Sequence, residues 1–242
     1  MSTLILAILR TLVSGCLSTF AGGVIACLLG SRIRSNKFAL SICYSIVAGI
    51  MFHIAMDLFF VTKIELGDFS SYSFLFLGVA VFALILKLVP SESFIPSKDN
   101  DKSANLRTGF LVFLSITLHN LPEGLVVVTS PSYSTLIAII FHNLLEGLIA
   151  SLPLIAASVS LKKVLFLTFL SGFSETLSAV VMLFFTLTHH SMLIVNVVLS
   201  GIMLLTSLLL LPDAFNRAKA ELVVLFVFLG FGISAITTAI EG

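Results

Sequence analysis

Charge is what this sequence has least of. Its 242 residues include 13 Lys and Arg and 12 Asp and Glu, 10% in all. A soluble domain carries about 25% charged residues, or about 60 at this length. So few charges cannot cover a water-facing surface, which excludes soluble enzymes, nucleic-acid binders and disordered chains. A net charge of +1 leaves no global field to recruit nucleic acid. Cysteine is nearly absent too. Cys16, Cys27 and Cys43 sit in apolar runs without CxxC or Cys/His spacing, so they read as small buried hydrophobes and not as thiolate ligands. The start, Met1-Ser2-Thr3-Leu4, lacks the basic stretch of a cleaved signal peptide. No lipidation motif or low-complexity tract is present.

What is there is apolar. Hydrophobic residues make up 58% of the chain and the mean hydropathy is +1.17, so the expected solvent is lipid. A helix needs about 20 apolar residues to cross a bilayer core of about 30 Å. Eight such runs can be read, at 4–29, 39–62, 73–90, 108–129, 135–157, 164–187, 191–211 and 222–240. Seven spans remain possible, because the third is short and the break near 188–191 is brief; eight is the better count. Backbone groups in lipid must be satisfied internally, so the expected fold is all-α: one polytopic domain, 1–242, forming a bundle of eight transmembrane helices. With both termini outside, the cytoplasmic segments hold eleven cations, among them Arg32, Arg34, Lys37, Lys162, Lys163, Arg217 and Lys219, while the outer loops hold Lys63 alone. That split follows the positive-inside rule. The polar segment 90–107 is expected to be a solvated cytoplasmic linker.

Charge inside the spans then needs a reason. His53, Asp57, His119, Glu123, His142, Glu146 and Glu175 lie within apolar runs. Six of them form three pairs four residues apart: His53/Asp57, His119/Glu123 and His142/Glu146. Four residues of helix advance about 6 Å and turn about 40° beyond a full circle, so each pair shares a face. One imidazole and one carboxylate thus point the same way, as a divalent cation requires. The string His119-Asn120-Leu121-Pro122-Glu123-Gly124-Leu125 returns as His142-Asn143-Leu144-Leu145-Glu146-Gly147-Leu148. The short connection Ser130–Ser134 makes the two spans antiparallel neighbours. Pro122 removes an N–H beside His119 and predicts a kink, and broken helices near the midplane are where transporters place ions.

A lone histidine in a span reads first as a hydrogen-bonding group between helices, and for Glu175 a structural reading is as strong as a functional one. Two histidine–carboxylate pairs in adjacent spans are different. Two buried carboxylates are expensive without compensation, and a dication supplies it. Imidazole with carboxylate and amide oxygen suits zinc, iron(II) or manganese; magnesium and calcium prefer all-oxygen cages. His189 and His190 read as surface residues.

At this point the residues resemble a known family. His119-Asn-Leu-Pro-Glu-Gly, His142-Asn-Leu-Leu-Glu-Gly and Ser171-Gly-Phe-Ser-Glu175 look like the motifs of the ZIP metal transporters, and the similarity extends over the whole chain. The resemblance implies a principal mid-membrane metal site of His119, Glu123, His142 and Glu146, with Asn120, Asn143 and Glu175 contributing to an adjoining second site. It further implies elevator-like transport, with spans one, four, five and six sliding against two, three, seven and eight, and a homodimer. Three departures stand out. Leu145 replaces a proline in the second motif, Thr176 follows Glu175 in place of another, and Asn143 stands where some members carry aspartate. The short form resembles the compact prokaryotic branch.

The expectation is a multi-pass protein of the cell membrane (inner or plasma membrane) that moves divalent transition metals toward the cytoplasm. Zinc comes first, with iron(II), manganese or cadmium as further substrates and no prosthetic group. Metal would enter past His53 and Asp57 and leave by Asp213. The alternative is an intramembrane zinc-dependent hydrolase, which keeps an open zinc position and needs a general base; the chain has no HExxH, and its ligands recur symmetrically. A haem held by His119 and His142 would explain neither glutamate.

Overall fold

The computed structural model describes residues 2–33, 36–88, 100–129, 133–184 and 188–241. Among these there is no strand. Backbone N–H and C=O groups that cannot reach water close their bonds along the chain, and the described chain does so in nine α-helices and one π-helical turn. These are α1 (Ser2–Thr11), the π turn (Leu12–Leu17), α2 (Ser18–Ile33), α3 (Lys37–Leu66), α4 (Asp68–Leu88), α5 (Asn100–Thr129), α6 (Tyr133–Ala156), α7 (Leu161–Phe184), α8 (His189–Phe215) and α9 (Ala220–Glu241). The first span is therefore one rod, α1–π–α2, with a widened turn inside it.

Seven stretches among the described residues are long and apolar enough to cross a membrane: Ile5–Gly30, Lys37–Leu66, Asp68–Lys87, Ile139–Ala156, Leu161–Val181, His189–Phe215 and Ala220–Ala239. The 30-residue α5 carries the remaining expected span. The architecture is that of a polytopic all-α membrane protein. Residues 100–107, expected in the linker, form the first two turns of α5, because a helix can run past the apolar limit into water. Residues 90–99 of that linker lie outside the described residues. α5 is helical on both sides of Pro122, and α6 continues through Leu145.

Connections are capped locally. Gly67 turns α3 into α4 at φ +81°, with its N–H on the Lys63 carbonyl at 3.0 Å, a left-handed helix stop. Ser158 ends α6 at φ 66°. There the Val159 N–H reaches the Leu154 carbonyl at 3.0 Å and the Ser158 N–H reaches that of Ile155 at 2.9 Å, the Schellman pairing. Thr188 caps α8 by accepting the Ser191 N–H at 3.2 Å.

The chain folds as two compact units that interleave in sequence. Unit 1 is Met1–Asn36, Asn105–Thr186 and Ile236–Gly242; unit 2 is Lys37–Ala104 and Leu187–Ala235. In unit 1, α2 packs on α6 and α7, and the π turn packs on α7. The closest approaches use reciprocal glycines: an added Cβ at Gly172 would strike the Gly15 carbonyl, and one at Gly15 would lie 2.6 Å from that of Gly172. Gly22 and Gly147 face the backbones of α6 and α2 in the same way. In unit 2, α3 and α4 both pack on α8. Hydroxyls stitch α3 to α8, with Ser41 Oγ donating to the Ala214 carbonyl and Ser207 Oγ to that of Ala48, both at 2.8 Å. Where lipid offers no hydrophobic drive between helices, small residues and hydroxyl bonds of this kind hold them.

Candidate metal centre

Within unit 1 the two repeated motifs face each other. His119 and Glu123 lie one turn apart on α5, His142 and Glu146 one turn apart on α6. The His119 Nε2 is 3.2 Å from Glu123 Oε1, which the His142 Nε2 also approaches at 3.6 Å. His142 Nε2 lies 3.2 Å from Glu146 Oε1. The imidazole rings stand 5.8 Å apart, inclined at 62°. One ligand atom from each of His119, His142 and Glu146 can be chosen so that all lie within 4.8 Å of one another, close enough for one ion to bind all three. Glu123 stands beside this group, its Oε1 within 3.6 Å of both imidazoles.

The hydrogen-bond accounts point the same way. Glu146 is 2% exposed, and neither of its carboxylate oxygens accepts a hydrogen bond. The amide oxygens of Asn120 and Asn143, both residues at 0% exposure, accept none either. Buried acceptors normally find a donor, and a carboxylate has no donor of its own. A cation held by His119, His142 and Glu146 would meet the demand of the Glu146 oxygens.

The remaining residues fall in three places. Glu175 on α7 is fully buried; its Oε1 accepts from Ser14 Oγ and its Oε2 from Asn143 Nδ2 at 2.8 Å. It therefore stands behind Asn143 with both oxygens engaged. His53 and Asp57 belong to unit 2, both half-buried on α3. His53 Nδ1 lies 3.0 Å from Ser234 Oγ and its ring meets Phe231 edge-on at 4.8 Å. Asp213 lies half-buried near the end of α8, beside Pro212. His189 and His190 are exposed at the start of α8, with His189 Nε2 2.6 Å from Glu65 Oε2. Composition and spacing did not single out Ser14. The one available signal was a Ser-Gly step in an otherwise apolar run.

No protein-family model matches the chain. Curated relatives do. The zinc transporter ZupT of Streptococcus mutans is 32% identical over 256 aligned positions, covering 96% of both chains. That of Chlorobaculum parvum is 34% identical, covering 92% of each, and that of Clostridium perfringens 29% identical, covering 98% of this chain and 96% of its own. The identity is spread over essentially the full length, and it joins a buried His/Glu cluster on a membrane helix bundle. These relatives are transporters and not enzymes. The chain belongs to the ZIP family of metal-ion transporters.

Proposed function

We propose that this protein carries zinc across the cell membrane toward the cytoplasm, binding it at His119, Glu123, His142 and Glu146. The buried Glu146 carboxylate, which accepts no hydrogen bond and lies with His119 and His142 within reach of one ion, carries this reading. Asn120 and Asn143 border the adjoining second position, with Glu175 behind Asn143. The ZupT names of the relatives support zinc as substrate. Two imidazoles with carboxylates also accept iron(II), manganese and cadmium, which are the further substrates of the reading.

The whole chain, 1–242, acts as one transporter domain of eight spans with both termini outside. The eleven-to-one cation asymmetry of the sequence supports this orientation. Unit 1 is the moving element, carrying the ion in an elevator-like step, and unit 2 the stationary one. The division of the chain supports this: unit 1 gathers the first, fourth, fifth and sixth spans, and unit 2 the second, third, seventh and nearly all of the eighth. His53 and Asp57 serve entry, Asp213 exit, and the working protein is a homodimer.

The test is zinc flux into proteoliposomes, repeated with iron(II), manganese and cadmium, with and without a pH gradient. His142→Ala and Glu146→Ala are each expected to abolish uptake while reconstitution stays normal. Wild-type rates in both would overturn the reading.

A further inference from the structure

Two acids, two histidines and one lysine gather where α3 ends, α4 begins and α8 starts, all within unit 2. They are Glu65, Asp68, His189, His190 and Lys63. The lysine is engaged by Asp68: its Nζ lies 3.1 Å from Asp68 Oδ1 and 5.0 Å from the centre of the Tyr72 ring. Glu65 meets His189 instead, with Oε2 and Nε2 2.6 Å apart across 124 residues of chain.

Stability gives this pair little reason to exist. Both side chains are more than half exposed, 70% for His189 and 54% for Glu65, and ion pairs in water add little to a fold. Neither helix profits from its own partner. Helix C-termini favour cations and N-termini favour anions, yet Glu65 stands in the last turn of α3 and His189 opens α8. What the pair does offer is an imidazole and a carboxylate, on two helices packed against each other, open to water.

That is zinc chemistry. Zinc takes nitrogen and oxygen ligands at about 2.0–2.1 Å, so a tetrahedral ion sets two of them about 3.3 Å apart. The pair at 2.6 Å needs to open by about 0.7 Å to admit the ion, a small rotation for exposed side chains. We propose that His189 and Glu65 form a second, weaker site for the transported divalent cation, at the outer face of unit 2, which collects the ion before it reaches the central site. Two protein ligands leave most of the ion's shell to water, so the ion comes off readily, as collection requires. The collecting role rests on the orientation and transport read above; the metal chemistry of the pair does not.

The experiment counts zinc bound to the full-length protein in nanodiscs and measures zinc uptake in proteoliposomes. The wild type is expected to bind a tight ion and a weaker one. His189→Ala and Glu65→Ala are each expected to lose the weaker ion, keep the tight one and shift the zinc KM upward while the maximal rate holds. His189→Cys, made in protein whose Cys16, Cys27 and Cys43 are alanine, exchanges the imidazole for another zinc ligand and is expected to keep the weaker ion. A zinc count unchanged in both alanine variants overturns the site, since a pair serving only as a hydrogen bond would leave it so. An unchanged KM in both overturns the collecting role. Wild-type protein that binds both ions and moves neither overturns the transport reading and leaves the site standing.

Discussion

At the scale of single residues, the centre is organised by what its atoms lack. Glu146 presents two oxygens that accept no hydrogen bond, with the His142 imidazole 3.2 Å from one of them, a state that leaving water makes costly for any carboxylate. Its imidazole and carboxylate neighbours bind metal only when deprotonated, so protons compete with the cargo. Zinc KM measured between neutral pH and about pH 5 is therefore expected to rise as pH falls, the acid end lying below the ordinary histidine range. A KM flat over that interval would contradict ligation by His119 and His142. The histidine–carboxylate pairs were legible in the sequence because four-residue spacing is a local property of a helix. Ser14 was not. It meets Glu175 across 161 residues of chain, and no periodicity within the first span marks one serine as different from the next.

At the scale of helices, glycine decides which backbones touch. Gly172 faces the Gly15 carbonyl with no room for a methyl group, whereas an added Cβ at Gly232 would meet nothing within 4 Å. Gly172→Ala forces backbone apart and is expected to destabilise unit 1 by about 1–3 kcal/mol, the usual result of overpacking. In detergent this lowers the melting temperature, and it weakens zinc binding because the Ser171 and Ser14 carbonyls, which accept from the Asn120 and Asn143 amides, shift together. Gly232→Ala is expected to leave both unchanged or to stabilise slightly through helix propensity. Equal melting temperatures for the two variants would contradict the packing argument. The apolar runs located the helices well, since bilayer thickness sets the length of such a run. They did not locate helix ends: α5 starts at Asn100, eight residues before its apolar run, because lipid limits the run and not the helix. The π turn had no signature in composition; it lies where Gly15 packs closely on α7.

At the scale of the molecule, two units share one chain, and the chain passes between them at residues 36–37, 104–105, 186–187 and 235–236. Hydropathy shows eight similar segments and says nothing of which pack together, so this division was legible only through the family resemblance. Orientation remains a matter of the loops. In protein whose Cys16, Cys27 and Cys43 are replaced by alanine, cysteines placed at Thr188 and Ser160, both exposed, are expected to label oppositely. An impermeant thiol reagent applied to intact cells should reach Thr188→Cys, and Ser160→Cys only after permeabilisation. The reverse pattern would invert the topology.

The paired carboxylates of Glu123 and Glu146 have an electrical consequence. With neutral imidazoles, the four-residue centre carries two negative charges when vacant and none when a dication fills it. In the elevator-like step proposed above, the membrane potential would act on the journey of the vacant centre and hardly on that of the filled one, at about 2.3 kcal/mol per elementary charge per 100 mV. A negative interior would then drive the vacant centre outward, so voltage would reset the carrier while the metal gradient loads it.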